Sequence, residues 1–448
     1  MTEPPPLGAG RFGEILVAFV KTCKTPLDAS QRMRTRRHIL ALPLILAVFA
    51  QGCLADYVAR TGGVRRSYEQ YEHGKAIEKL DSRAEQSSTD EDSRTHPDSL
   101  LYLMDRGMIL HAAGYFEESN AALHEAERLA SRLDIVSITE EATSLTTSAR
   151  RRAYRGEVFE VLLINVYKAL NYAALGNREA ALVEVRRAHE RLRAMDADER
   201  KDYHRLAVAR YVAGALWEWA GELDSAFIDY QRAMEKTGDL EHLAEPLLRL
   251  ARQTRREDAY AELLERYPDI DHEPLGANEG QVVVVISGGL SPVKKPSVRN
   301  GEQDLLALPY YQRRSWPGAS AGVSIGELEL RAVTVTSVEN VAVRHLEDRI
   351  VRMIGRGMAG VAIKGGVAAA IGAITKSEEL ALLAFNILLA SNRPDLRSWL
   401  SLPAEFQLAR ARLPAGEHVI EIVWGDETTR HSVTIRPGEV SVLPLRFY

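Results

Sequence analysis

The stretch Val158–Leu192, VFEVLLINVYKALNYAALGNREAALVEVRRAHERL, decides the fold of this chain. It predicts two helices joined by a turn at Gly176-Asn177. The first helix is apolar except for one polar stripe at helical spacing, formed by Glu157, Glu160, Asn165, Lys168 and Asn171. In the second helix, apolar residues recur at helical spacing: Ala181, Val185, Ala188 and Leu192. A helix that is apolar around most of its circumference must be covered on several sides, so this hairpin requires neighbours.

Two further stretches repeat the pattern. Leu100–Leu129 turns at Gly114, and Ala207–Lys236 turns at Gly221. When the three turn glycines are aligned, small residues fall into register before and after the turn: Gly107, Ala169 and Gly214; Ser119, Ala181 and Ala226; Ala126, Ala188 and Ala233. Small side chains let paired helices approach closely, and glycine ends a helix at low cost because it accepts positive φ.

This register resembles the tetratricopeptide repeat, which has a period of about 34 residues. The turns here are spaced more widely, so we expect an irregular array with extra segments between repeats. The resemblance implies that the first helix of each pair lines a groove. The matching positions are apolar: Leu163, Val166, Leu170 and Tyr211. Either a hydrophobic helix of a partner or the C-terminal half of the chain fills this groove. We favour the second, because an open apolar groove promotes aggregation.

Composition limits the possible classes. The chain has 448 residues and a net charge of −5, which allows two or three domains and argues against a nucleic-acid-binding surface. Its two cysteines, Cys23 and Cys53, are too few for a disulfide framework or a cysteine zinc site. The histidines show no metal-ligand spacing. The sequence therefore predicts no metal, no cofactor and no nucleic-acid partner.

Met33–Cys53, MRTRRHILALPLILAVFAQGC, has the layout of a secretory signal with a basic start and an apolar run too short to span a bilayer. Its end resembles a bacterial lipobox. The resemblance implies cleavage after Gly52 and acylation of Cys53, and Leu54 points to the outer membrane of the cell envelope, facing the periplasm. An uncleaved anchor and a non-lipidated signal stay open. We take Met33 as the true start, and export by the general or the twin-arginine route stays open.

The predicted fold class is α+β: an N-terminal irregular tetratricopeptide-like α-solenoid followed by a mixed domain with an antiparallel β-meander. Residues 1–52 are assigned to an upstream extension plus signal peptide, and 53–98 to a lipidated anchor and flexible spacer. Residues 99–273 form the repeats, and 274–448 the C-terminal domain. In that domain Val293–Ser320 is expected as a loop, and four strands between Phe406 and Phe447 as the meander.

A run of spaced residues follows in the C-terminal domain: Asp395, Arg397, Trp399, Leu402 and Pro403. With the repeats, this Asp-x-Arg-x-Trp-x-x-Leu-Pro run resembles a family of bacterial outer-membrane lipoproteins. The resemblance implies an envelope role, linked to peptidoglycan synthesis. Physically, we expect Arg397 to pair with Asp395 and stack on Trp399, closing a corner between helix and sheet. A ligand clamp is the alternative.

Three stretches imitate functional motifs. Gly318–Gly322 matches G-x-S-x-G but lacks the required strand before it, and Gly355–Gly360 matches G-x-G-x-x-G inside a helical pattern. Met358–Ile374 is apolar but contains Lys364, so a buried helix is favoured over a membrane span. No catalytic residue is therefore predicted.

Two hypotheses about function follow. The first is a lipid-anchored, non-enzymatic scaffold that binds envelope proteins through its repeats and the membrane through Cys53. The second is a glycan-binding module or enzyme in the C-terminal domain. Its candidate residues are Arg314, Trp316, Asp395 and Trp399. Convergence of these four side chains in one cleft favours the second hypothesis, and separate packing positions favour the first.

Overall fold

The computed structural model describes residues 57–87, 96–140, 153–196, 206–237, 241–299, 302–303, 308–316, 320–375, 382 and 394–448. The chain divides into two compact units. One comprises residues 1–54 and 365–391, of which only 365–375 and Leu382 are described. The other comprises residues 55–364 and 392–448 and contains every site discussed below. Cys53, Gly52 and the predicted signal peptide lie outside the described residues.

The described helices begin with α1 (Tyr57–Arg60), α2 (Gly62–Glu69) and α3 (His73–Ser87). Three hairpins follow, which we call the helical array: α4 (Ser99–Ala112) with α5 (Phe116–Glu140), α6 (Val158–Ala174) with α7 (Arg178–Asp196), and α8 (Ala207–Trp219) with α9 (Leu223–Thr237). A closing pair is α10 (Glu241–Gln253) with α11 (Glu257–Arg266), and α12 spans Val338–Thr375.

The aligned glycines have the conformation that the sequence predicts. Gly114, Gly176 and Gly221 have φ of 80°, 71° and 81°, so each ends a helix in the left-handed region. At the position seven residues earlier, a Cβ on Gly214 would lie 2.6 Å from the ring of Tyr230. A small residue there is what allows the two helices of the hairpin to pack together.

The strands form two four-stranded sheets and two short hairpins. Sheet 1 contains β12 (Val440–Arg446), β1 (Glu279–Gly288), β9 (Glu405–Pro414) and β8 (Val333–Ser337), in that order. Sheet 2 contains β11 (Glu427–Ile435), β10 (Gly416–Trp424), β6 (Gly322–Ile325) and β7 (Leu328–Arg331). The hairpins pair β2 (Val293–Pro296) with β5 (Pro309–Gln312), and β3 (Val298–Arg299) with β4 (Glu302–Gln303).

Sheet 1 is covered on both faces, which explains the unbroken apolar run of β1. Val283 and Val285 belong to the core shared with the helices, whereas Val282, Val284 and Ile286 belong to the core shared with sheet 2. All five side chains are buried. The helices, sheet 1 and sheet 2 are therefore stacked layers with a hydrophobic core on each side of sheet 1.

The predicted fold class is confirmed: helical repeats precede a mixed domain whose strands are mainly antiparallel. The arrangement of the last strands differs from one continuous meander. Only β10 and β11 are paired neighbours, β9 lies in the other sheet, and β12 pairs in parallel with β1. Strand β1 lies inside sheet 1 and pairs along both edges, with β9 and with β12. A sequence pattern typical of local hairpins does not reveal pairing between strands that are distant along the chain.

Other expectations also changed. Residues 293–320 contain β2 and β5 rather than loop alone, since Lys294 pairs with Tyr311 in a ladder. The segment assigned to the anchor and flexible spacer, 53–98, contains the helices α1, α2 and α3, and its Asp98 is buried, while 53–56 and 88–95 lie outside the described residues. Gly355–Gly360 lies within α12, eighteen or more residues beyond the end of β8, so it is not a loop after a strand. Within the described part of the chain, none of the helices combines the length and the hydrophobicity that a transmembrane span requires.

Candidate functional site

The predicted groove is covered by the chain itself. Leu163, Val166, Leu170 and Tyr211 are buried in the core that the helices share with sheet 1. Helices α6 and α8 pack against β12, and α8 also packs against β8. The Tyr167 hydroxyl donates a hydrogen bond of 3.1 Å to Oγ of Ser287. The surface on which a tetratricopeptide-like array holds a ligand is therefore filled by sheet 1.

A group of charged side chains, all buried except the partly exposed Arg349, lies at the start of α6, and we call it the carboxylate cluster: Glu157, Glu160, Lys294, His345 and Arg349. Oε1 of Glu157 accepts a hydrogen bond of 2.7 Å from Nζ of Lys294. Its Oε2 accepts one of 3.0 Å from Nε2 of His345 and another from Arg349. Because Lys294 is on β2 and the other two donors are on α12, one carboxylate joins three elements.

Glu160 has a different set of partners. Its Oε2 accepts hydrogen bonds from the Tyr154 hydroxyl at 2.5 Å and from the backbone N–H of Glu157 at 2.9 Å. Its Oε1 accepts one of 2.8 Å from the backbone N–H of Trp399. Glu157 and Glu160 also form a capping box, in which each side chain binds the other residue's backbone N–H. The helix start is therefore fixed by the same carboxylates that hold the C-terminal domain.

The two carboxylates have opposite pKa shifts. Burial raises the pKa of Glu157, but the charges of Lys294 and Arg349 and the hydrogen bond from His345 outweigh it and hold that pKa well below the ordinary value. Burial, followed by the negative charge of Glu157, raises the pKa of Glu160 to about 7. Burial lowers the pKa of Lys294, but the negative charge of Glu157 outweighs burial and holds the pKa of Lys294 above its ordinary value. Glu157 and Lys294 therefore form a neutralised ion pair, and Glu160 titrates near neutral pH.

The Asp-x-Arg-x-Trp run closes onto the array. Arg397 binds Asp395 with two hydrogen bonds, Nε to Oδ1 at 2.8 Å and Nη2 to Oδ2 at 2.7 Å, as the sequence predicts. Its Nη1 donates to Oδ1 of Asp98 at 3.1 Å. The guanidinium lies over the ring of Tyr154, 5.4 Å from its centroid, in place of the expected stacking on Trp399. This geometry joins the C-terminal domain to the start of α4 and the segment before α6.

Trp399 is also part of the packing. Its indole is buried and meets Tyr167 edge-on, with 6.3 Å between ring centroids. Its Nε1 donates to Oγ of Ser401, and Ser401 Oγ donates to Oδ1 of Asp105 on α4 at 2.6 Å. Asp105 in turn accepts a hydrogen bond of 2.6 Å from the Tyr57 hydroxyl. The three elements α1, α4 and the Trp399 segment are therefore connected through one buried carboxylate.

The remaining residues of the polar stripe of α6, Asn165, Lys168 and Asn171, contact α5 and α7. Nζ of Lys168 lies 2.7 Å from Oε2 of Glu127 and 2.9 Å from Oε2 of Glu184. Candidate ligand atoms of His124, Glu127 and Glu184 lie within 4.8 Å of one another, as in a metal site. Lys168, Arg187 and Arg191 already supply the cations that pair with these two carboxylates, so the group is an ion-pair network between repeats.

The four residues of the enzyme or glycan-binding hypothesis have separate roles. Arg314 donates to the backbone oxygens of Ser291, at 2.6 Å, and of Leu400. Trp316 stacks on Trp424 with 5.5 Å between centroids. Asp395 pairs with Arg397, and Trp399 is buried against Tyr167, as described above. The structure places these four side chains in distinct packing positions.

Sequence reasoning missed most of the carboxylate cluster. It placed Glu157 and Glu160 on a polar stripe but assigned Lys294 to a loop and did not single out His345 or Arg349. The available signal was the stripe itself, because ionised groups on a helix that is apolar elsewhere must find buried partners.

The likeness of this chain to known proteins is remote. No family model matches the chain, and no curated protein matches it significantly. Fourteen chains of solved structures match. One is a Rap protein complexed with competence and sporulation factor, with a TM-score of 0.28 and 16% identity over 48% of this chain and 55% of that chain. Another is MamA AMB-1, with a TM-score of 0.21 and 14% identity over 38% of this chain and 91% of that chain. A third is a tetratricopeptide repeat protein from Parabacteroides merdae, with a TM-score of 0.22 and 14% identity over 49% of this chain and 81% of that chain. The match spans about half the length of the Rap chain. The repeat assignment depends on the hairpins and their register, not on these scores.

Proposed function

We propose that the chain is a lipid-anchored adaptor of the bacterial cell envelope, attached through Cys53, that binds other envelope proteins and performs no catalysis of its own. Attachment to the outer membrane and a role linked to peptidoglycan synthesis belong to the same proposal, through the lipoprotein family that the Asp-x-Arg-x-Trp run resembles. The sequence Ala50–Cys53 supports the anchor.

One observation carries the adaptor hypothesis: the residues proposed for a glycan-binding or catalytic site in the C-terminal domain are engaged in packing. Arg314, Trp316, Asp395 and Trp399 are each engaged in packing or hydrogen-bond contacts within the described fold. The charges of the carboxylate cluster are likewise paired across α6, β2 and α12. Together with the packing of α6 and α8 against β12 of sheet 1, these contacts join the helical array and the C-terminal domain in one framework. In this proposal, partner proteins dock on the surface of that framework.

Fatty-acid labelling tests the anchor. Cells producing the full chain are grown with an alkyne-tagged palmitate, and the purified polypeptide is assayed for the tag. We expect label on the wild type and on Cys23→Ser, and none on Cys53→Ser. Equal labelling of Cys53→Ser, or none on the wild type, contradicts the lipid anchor.

Crosslinking tests the adaptor role. The anchored protein is crosslinked in intact cells of the native bacterium and purified, and its partners are identified by mass spectrometry. We expect a defined envelope protein that is recovered with the wild type and that binds the purified chain in a reciprocal experiment. Turnover of a glycan or other metabolite by the purified chain contradicts the non-enzymatic role.

A further inference from the structure

A cleft of about 480 Å³ lies between α1, α2 and the segments that contain β2 and Arg314. Four of the lining residues are cationic and one is acidic: Arg65, Arg66, Lys295 and Arg314, with Glu69. The remaining lining residues are small or apolar: Val58, Ala59, Gly62 and Val293. A concave surface of this size with convergent charges of one sign attracts a ligand of the opposite sign.

The positive charge of the cleft is only partly neutralised. Glu69 pairs with Arg314, with 3.2 Å between Oε1 and Nη1. Arg65 donates a hydrogen bond of 2.8 Å to the Thr61 hydroxyl, which is uncharged. Arg66 and Lys295 are exposed, and neither forms an ion pair with a residue that the structure describes. At least two cations are therefore available to an anion.

Arg314 forms a part of the cleft wall whose position is fixed by hydrogen bonds. Its guanidinium is held by the carbonyl oxygens of Ser291 and Leu400 as well as by Glu69. Burial lowers the pKa of Arg314 to about 10, with the charge of Glu69 opposing and that of Arg65 adding to the effect. Even so, this group is cationic at neutral pH. An anion in the cleft offsets part of the cost of keeping it buried and charged.

We propose that this cleft binds the phosphate of an anionic phospholipid headgroup. The ligand chemistry follows from the arginines and the lysine, which bind phosphate oxygens through charge-assisted hydrogen bonds. The source follows from chain length and rests on the proposed anchor. Val58 is five residues after Cys53, so the lining of the cleft begins at most about 18 Å from an acylated cysteine. That distance places the cleft beside the headgroups of the membrane that holds the anchor.

The test measures binding to soluble lipids by isothermal titration calorimetry, using the full chain carrying Cys53→Ser so that acylation does not contribute. The probes are dihexanoyl phosphatidylglycerol, dihexanoyl phosphatidylcholine and inorganic phosphate. Both lipids are used below the concentration at which they form micelles. The test variant is Arg66→Gln with Lys295→Gln. The matched control is Arg232→Gln with Arg344→Gln, two exposed cations that do not line the cleft.

We expect saturable binding of the phosphatidylglycerol and at least tenfold weaker binding of the phosphatidylcholine. The test variant should bind the phosphatidylglycerol about 30-fold more weakly, since each basic residue near an anionic lipid contributes about fivefold. The control should bind within twofold of the parent chain, and both variants should have the parent's thermal unfolding midpoint.

Absence of phosphatidylglycerol binding overturns the proposal, as does an equal loss in the control variant. Equal affinity for inorganic phosphate overturns the lipid source, because the cleft then recognises a free anion. Fatty-acid labelling of Cys53 is a separate measurement, so failure of the anchor and failure of the cleft are distinguishable.

Discussion

The backbone N–H of Trp399 donates a hydrogen bond of 2.8 Å to Oε1 of Glu160, across 239 residues of sequence. Glu160 also accepts the Tyr154 hydroxyl and caps the start of α6. Glu160, in the first turn of the central hairpin of the array, thus also binds the C-terminal domain. Correct formation of α6 and docking of the Trp399 segment are therefore coupled.

Glu160 gives the stability of the chain a pH dependence. Its pKa is about 7 in the folded chain, against 4.5 for the ordinary carboxyl. Between these values the folded chain binds more protons than the unfolded chain. The contribution of Glu160 to stability is therefore complete below pH 4.5 and is lost as pH rises through 7, by up to about 3 kcal/mol. Glu157 acts below this window, because its pKa is lowered.

The measurement compares the free energy of unfolding of the wild type and Glu160→Gln at several pH values. The comparison is needed because five described histidines have lowered pKa values and make stability rise with pH in part of the same window: His73, His96, His111, His124 and His431. We expect the advantage of the wild type over the variant to shrink between pH 4.5 and 7. The exposed Glu265→Gln is the control. A difference between wild type and Glu160→Gln that stays constant with pH contradicts the assignment.

Arg397→Gln should destabilise the chain by about 3–5 kcal/mol. The substitution leaves the carboxylates of Asp395 and Asp98 without the guanidinium that joins them, and Asp98 is only 4% exposed. Chemical denaturation measures the loss. Arg430→Gln is the control, since its side chain is 73% exposed and its pair with Glu421 contributes at most about 1 kcal/mol. A loss for Arg397→Gln no larger than for the control excludes the proposed corner.

Two glycine-to-alanine substitutions in helices should change the stability of the chain in opposite directions. Gly214→Ala places a methyl group 2.6 Å from the ring of Tyr230, which should cost about 1–3 kcal/mol. Gly355→Ala in α12 meets no heavy atom within 4 Å and should stabilise the helix by up to about 1 kcal/mol. Thermal unfolding of the two variants measures both effects. If Gly214→Ala is neutral, close helix approach is not the reason for the small residue.

The sequence predicts local structure well where one physical rule dominates. The turn glycines and the apolar periodicity fix the hairpins, because helix ends and helix faces are local properties. The alternation in β10 and β11 likewise fixes a hairpin. The placement of β12 beside β1 was not accessible, because parallel pairing depends on contacts across the whole domain rather than on a turn.

The site was predictable only in part, for a related reason. The pairing of Asp395 with Arg397 spans two residues and follows from their chemistry. The partners Asp98 and Tyr154 come from distant elements that the fold brings together. Both rings, Tyr154 and Trp399, offer a face to a guanidinium, and the buried position of Trp399 against Tyr167 decides between them.

The central structural claim is that sheet 1 covers the apolar surface of the helical array. In the most direct test, residues 54–273 are produced as a fragment without the C-terminal domain. The association state of this fragment and its binding of an apolar fluorescent dye are then measured. Because Leu163, Val166 and Leu170 lose part of their cover in this fragment, we predict self-association and strong dye binding, with neither in the full chain. A soluble, monomeric fragment that binds no dye would contradict the claim.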